Sequence, residues 1–254
     1  MSRVVDLLLT LWRGAVIGLW HGLIAIPSAL LVLLVPNGGA IGHALFARFW
    51  GRVTLAGCGI PWTVEGAERV EPGRAYVFAA NHASEFDFYA IAGELPFQWR
   101  ALMRPGLGRI PVYGWVARRT GHVFLRLTDP DRRSRAYGEC LAQLARGRSL
   151  LVFPEGRRPG PGAVAPFKRG AFGIAIEAGV PVVPIAVEEI LRRPPRRCLG
   201  RGLGHRVARL RVVILPPIET KDLDPEGAES LGEQVRRAVM DAHLGAVNRG
   251  DPVP

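Results

Sequence analysis

Apolar positions are distributed unevenly along this chain, and the first fifth is the extreme case. From Gly14 to Val35 the sequence reads GAVIGLWHGLIAIPSALLVLLV, 22 residues without a formal charge. As a straight helix that run measures about 33 Å, close to the ~30 Å hydrocarbon core of a bilayer. His21 and Pro27 are expected to interrupt it. A second apolar segment, Ala40 to Ala56, carries Arg48 and Arg52 among the aromatics Phe46, Phe49 and Trp50. A signal peptide fits poorly, because the run exceeds the usual ~7–15-residue apolar core. Of the remaining readings, a single span or two helices lying on one bilayer face, we prefer the second. It sets the arginines at lipid headgroups and the aromatics at the interface. Arginines flanking both segments agree with a cytoplasmic side.

After residue 56 the pattern changes to short apolar runs alternating with amphipathic stretches. Strands are expected at Trp62–Val64, Ala75–Phe78, Trp99–Met103, Gly121–Arg126, Ser149–Phe153, Val180–Val187 and Leu210–Leu215. Two of them, Ser149–Phe153 and Val180–Val187, are continuous apolar runs, as expected of strands buried on both sides. Helical periodicity appears at Tyr137–Ala145, where Tyr137, Leu141 and Leu144 share a face, at Gly170–Glu177 before Gly179, and at Ser230–Leu244. Pro105–Trp115 reads as a turn leading into a short helix, and Asp129–Arg135 as a charged loop. Such alternation predicts a single α/β domain with a central mixed sheet flanked by helices. The expected organisation is a membrane-associating helical segment over 1–56, the α/β domain over 57–246 and a tail over 247–254.

Charge sharpens the picture. The chain has 254 residues and a formal charge of +11, nearly all of it arginine, since Lys168 and Lys221 are the only lysines. That balance favours partners bearing phosphate: nucleic acid, anionic lipid or a phosphorylated substrate. A basic stretch with Arg192, Arg193, Arg196, Arg197, Arg201, Arg206 and Arg209 is either a solvated loop or a patch for anionic lipid. Nucleic-acid binding lacks a reading motif and leaves the apolar N-terminus unexplained. Cys58, Cys140 and Cys198 lie far apart with no C-x-x-C, which argues against a disulfide framework or a zinc site.

Candidate chemistry centres on Asn81-His82-Ala-Ser84-Glu85-Phe-Asp87, which follows the strand-like run Ala75–Phe78. On one helix, His82 and Asp87 would lie about 140° apart and could not meet. With His82 in the strand-to-helix turn and Asp87 one turn in, the carboxylate can fold back to the imidazole. Asp87 would then accept the Nδ1 proton and leave Nε2 as a base, with the helix N-terminus favouring the neutral ring. The plain alternative is a helix-capping Asn81 beside a surface histidine. Further on, Glu155-Gly156 stands just past the end of a buried strand, where ligands of open α/β sheets collect, and Arg126 ends another. A base with arginines nearby suits a phosphate-bearing alcohol. The plain alternatives are surface ion pairs for Arg126 and Arg158, and a cap or arginine partner for Glu155. G-x-S-x-G, G-x4-G-K-[ST], H-E-x-x-H and a complete G-x-G-x-x-G are all absent, which weakens serine hydrolase, P-loop, zincin and dinucleotide readings.

Asn81-His82-x4-Asp87, Phe153-Pro-Glu-Gly156, Phe167-Lys-Arg-Gly-Ala-Phe172 and Gly179-Val-Pro-Val-Val-Pro184 together resemble the ordered blocks of the glycerolipid acyltransferase family. Its best-known bacterial members are 1-acylglycerol-3-phosphate acyltransferases. The resemblance is strong over about residues 76–188 and absent from the N-terminus apart from its apolar character. It implies that His82 is the general base for a substrate hydroxyl and that Asp87 orients it. The acyl donor would be acyl-CoA or acyl carrier protein, attacked directly, with no cofactor and no metal. It further implies that Arg126, Glu155, Gly156 and Arg158 bind the glycerol phosphate, and that Pro184 helps bind the acyl donor or shape the site. Two departures stand out. No Asp precedes Arg126, and Arg157 and Pro159 fill the usual Thr and Ser slots of the third block. Both lie where the acceptor headgroup is read, and the extra arginine favours an anionic acceptor. The expectation is transfer to the sn-2 hydroxyl of lysophosphatidate at the inner membrane, on its cytoplasmic side. The alternatives are another lysolipid, such as lyso-ornithine lipid, and a lipid-binding protein without turnover.

Overall fold

A computed structural model describes residues 2–95, 98–126, 128–159, 163–191 and 207–247. Two helices come first, α1 (Ser2–Leu34) and α2 (Gly38–Gly57). The reversal between them turns at Asn37, whose φ of 59° is left-handed. Helix α1 continues through Pro27 rather than breaking there. Its flank is packed against α2 and the rest of the molecule, which offsets the missing proline N–H.

The α/β part supplies β1 (Trp62–Glu65), β2 (Val77–Ala80), α3 (Asp87–Glu94), β3 (Trp99–Met103), α4 (Tyr113–Arg119), β4 (Val123–Phe124) and α5 (Pro130–Ala145). It continues with β5 (Ser149–Val152), α6 (Gly170–Ala178), β6 (Val182–Leu191), β7 (Val207–Ile214) and α7 (Ala228–Val247). Seven strands form one sheet in the order β1-β7-β6-β2-β5-β3-β4. Every neighbouring pair is parallel except β6 with β7, so the sheet is mixed, as the alternation predicts.

Two apolar layers sandwich the sheet. On one face Phe78, Trp99 and Leu151 pack with Ile91 of α3 and Leu55 of α2; on the other Val77, Leu150 and Val152 meet Phe172 of α6 and Val235 of α7. Strands β2 and β5 are buried at every position, which is why they read as unbroken apolar runs. Helix α2 lies directly on α3 at Gly51, where a Cβ would sit 2.5 Å from both Gly93 N and Tyr89 O.

Two expectations need adjusting. Residues 130–135 are not loop but the first turns of α5. Asp129 caps it by accepting the Arg132 N–H at 3.1 Å, and Pro130 stands in its first turn, where a missing N–H costs nothing. The strand expected over Gly121–Arg126 shrinks to Val123–Phe124 at the sheet edge. Arg192 to Arg206, Cys198 and the tail from 248 lie outside the described residues; Arg209 is in β7.

Candidate active site

Strands β2 and β5 are parallel neighbours, so the chain leaves both at the same edge of the sheet. Beyond β2 comes Asn81, and beyond β5 come Phe153 and Glu155. Asn81 is buried and closes a two-way bond with β6: Nδ2 donates to Val187 O at 2.9 Å, and Oδ1 accepts the Val187 N–H at 2.7 Å. It therefore fixes the loop to the sheet and does not cap a helix. His82 follows with its side chain partly exposed, stacked on Phe153 with ring centroids 4.2 Å apart.

Asp87 is the first residue of α3, not a turn into it, and it is fully buried. Its Oδ2 accepts from His82 Nδ1 at 2.9 Å and from the backbone N–H groups of Ala83 and Ser84 at 2.6 and 2.8 Å. Ser84 Oγ donates to Oδ1 at 3.0 Å. Four donors converge on one carboxylate, which fixes its position. The imidazole nitrogen left over is Nε2. The geometry is that of a histidine base oriented by a carboxylate.

Glu155 is also buried, yet it neither caps a helix nor pairs with an arginine in the described contacts. Oε1 accepts the His82 N–H at 2.8 Å and Oε2 the Ala165 N–H at 3.1 Å. Burial raises its pKa, against the pull of those two N–H groups. Glu155 thus ties the loop carrying His82 to the segment before α6. Gly156 turns with φ 66°, and a Cβ there would meet Lys168 Nζ at 2.8 Å. Arg158 pairs with Glu85, across from His82's loop. Arg126 is exposed just past β4, three strand spacings from β2, about 14 Å along the sheet. Pro184 is opposite Ala79 in β6, buried, two register positions before the level of Asn81. His82, Glu155, Gly156 and Arg158 are therefore gathered in two adjoining loops, with Asp87 at the start of α3 against them and Pro184 beneath; Arg126 stands apart at the sheet edge.

Several contacts could not be read from the sequence. Phe153, Ser84 and Glu85 matter through contacts that only the fold creates. On the α1–α2 side of the sheet is a cavity of about 90 Å³ walled by Trp50, Phe88, Trp99, Met103, Tyr113 and His43. His122 also lines it, its pKa pushed down to about 3 by burial and by Arg100.

Comparison with known proteins gives this geometry its context. The Acyltransferase family model matches residues 61–188, half of the chain. The chain belongs to this acyltransferase family. Among curated members, it is 32% identical over 180 residues to the chloroplastic 1-acyl-sn-glycerol-3-phosphate acyltransferase BAT2 of Brassica napus, covering 69% of this chain and 50% of that one. It is 31% identical over 189 residues to the mouse (Mus musculus) 1-acyl-sn-glycerol-3-phosphate acyltransferase alpha, covering 72% and 63%. The chain thus spans half to two thirds of the length of these acyltransferases. Among solved structures, the 1-acyl-sn-glycerophosphate acyltransferase PlsC of Thermotoga maritima superposes with a TM-score of 0.76 at 25% identity. That match covers 97% of this chain and 98% of PlsC, the apolar N-terminal helices included. The α/β fold with its helical preface is that of the acyltransferase.

Proposed function

We propose that the protein transfers a fatty acyl group to the sn-2 hydroxyl of 1-acylglycerol-3-phosphate, giving phosphatidate at a membrane surface. The observation that carries this reading is the 2.9 Å pairing of His82 Nδ1 with a buried Asp87 carboxylate, which directs Nε2 to act as the base. Nε2 takes the hydroxyl proton as the oxygen attacks the thioester carbonyl of acyl-CoA or acyl carrier protein. The C–O bond forms, the C–S bond breaks, and the imidazolium returns its proton to the leaving thiolate. Asp87 stabilises the imidazolium in between.

Arg126 and Arg158 are the groups we assign to the acceptor phosphate, with Gly156 letting the backbone approach. Arg158 already pairs with Glu85, so a phosphomonoester would replace or share that carboxylate. Glu155 acts by holding the His82 loop. Pro184 stiffens the strand beneath it. The aromatic cavity on the α1–α2 side of the sheet suits methylenes of an acyl chain. Family membership and the named activities of the relatives support this reading. Helix α1 supports a membrane setting: an 18-residue window within Val4–Leu34 has a mean hydropathy of 2.1, and the helix is docked along one flank, which favours lying in one face of the bilayer.

Acceptor choice tests it. Purified protein in detergent receives labelled acyl-CoA with lysophosphatidate or lyso-ornithine lipid in parallel, and acyl carrier protein as a second donor. Product from lysophosphatidate, with a strict need for the phosphomonoester, is expected. Product only from lyso-ornithine lipid would overturn the acceptor and make Arg157 and Pro159 the suspected determinants.

A further inference from the structure

Among the described residues, large apolar side chains exposed to solvent are confined to two places, apart from one residue. Of the nineteen found among the described residues, fifteen lie between Val4 and Phe49, in α1, α2 and their junction. Three more are Leu107, Ile110 and Val112, at 40, 44 and 46% exposure, in the loop joining β3 to α4. The last is Leu223. A six-residue span exposing three large apolar side chains is unusual on a domain that otherwise covers them.

This loop is built to hold that shape. Arg118 of α4 reaches back and donates to Gly108 O at 2.9 Å, while Gly114 approaches so closely that a Cβ would lie 2.3 Å from Gly108 O. Val112 adopts φ 60° and ψ −58°, a conformation that a β-branched residue ordinarily avoids. Strain kept at an exposed apolar residue calls for a role. The loop also adjoins the apolar helices. Tyr113 meets His21 of α1, ring centroids 5.2 Å apart, and the end of α4 lies against the start of α2, where a Gly39 Cβ would be 3.3 Å from Arg119 O. Exposed Arg104, Arg109 and Arg119 flank the apolar trio.

We infer that the Leu107–Val112 loop is a third membrane-contacting element, dipping into the headgroup and acyl boundary of an anionic bilayer beside α1 and α2. The apolar trio enters the boundary and the arginines pair with lipid phosphates. Continuity with the helical face and the charge of the rim select a bilayer as the occupant. The inference is independent of the acceptor's identity.

A fluorescent label tests it. The full-length chain with Cys198→Ser and Ile110→Cys carries an environment-sensitive probe at residue 110, Cys58 and Cys140 being buried. A Leu223→Cys variant serves as the comparison. Both are bound to phosphatidylglycerol vesicles, with binding verified by flotation. The residue-110 probe should shift to the blue and be quenched by lipids spin-labelled near the headgroup, while the residue-223 probe stays in water. A water-like probe at residue 110 on floated protein would overturn the inference. So would shielding that needs no vesicles and grows with protein concentration, which would mark a second copy as the occupant. A Leu107→Asp/Ile110→Asp variant should lose about tenfold in turnover of vesicle-borne acceptor and keep turnover in mixed micelles. Equal losses in both would again overturn it. A wild type without any turnover would count against the proposed reaction, and the probe result would still decide the loop.

Discussion

Asp87 shows how much one residue can be asked to do. Its carboxylate orders the turn through the Ala83 and Ser84 N–H groups and holds the imidazole through His82 Nδ1. Asp87→Asn keeps the shape but turns an amide NH2 toward donors or toward Nδ1. Turnover should fall by roughly 10²–10⁴, with the fold retained by circular dichroism; a loss under tenfold would remove Asp87 from the mechanism. Glu155 behaves differently, because both its oxygens accept from backbone. Glu155→Gln puts an NH2 against the His82 or Ala165 N–H, and chemical denaturation should show a loss of about 1–3 kcal/mol. Its partners are 73 and 10 residues away in the chain, which is why no local pattern announced its job. The same holds for Asn81, whose partner Val187 is 106 residues distant. The His82–Asp87 pairing was legible because its geometry is local: five residues spanning a turn leave few ways for the two side chains to meet.

Among elements, legibility followed burial. Central strands β2, β5 and β6 read as continuous apolar runs because helices cover both faces, and the sheet came out α/β and mixed as expected. Edge strand β4 was overread because its apolar run is longer than its pairing. The start of α5 was missed at a charged stretch, although Asp129-Pro130 carries a cap and a first-turn proline. Helix contacts were invisible altogether. Gly51 looked like an ordinary residue in an apolar segment, yet it lets α2 touch α3, whose first residue is Asp87. Gly51→Ala should force the helices apart at a cost of about 1–3 kcal/mol and lower turnover as well, measured by thermal unfolding and assay together. Unchanged stability would mean that the two helices do not bear on one another at this point.

For the whole molecule, the governing features are the apolar face and the +11 charge. Binding to anionic vesicles should weaken as salt rises from low to about 0.5 M, with a salt-resistant remainder from the apolar face. Acid stability has a separate origin in the interior. His122 accepts the Ala101 N–H, and its pKa is lowered from 6.5 to about 3 by burial and Arg100. The folded state therefore disfavours the protonated ring. The stability tied to neutral His122 is complete above about pH 6.5 and is lost as pH falls toward about 3. His43, held down by the same burial, adds to that limb. His122→Asn, which keeps an acceptor, should flatten the acid limb of a stability-against-pH curve; an unchanged limb would place the acid sensitivity elsewhere.

The central claim is that His82, oriented by Asp87, is the base for acyl transfer to a lysophospholipid hydroxyl. It is tested most directly by His82→Ala, assayed with labelled acyl-CoA and lysophosphatidate while vesicle flotation and thermal unfolding are followed on the same preparation. Turnover should drop by about 10³-fold or more while flotation and unfolding match the wild type. Turnover within tenfold of the wild type, in a variant that folds and floats normally, would contradict that claim.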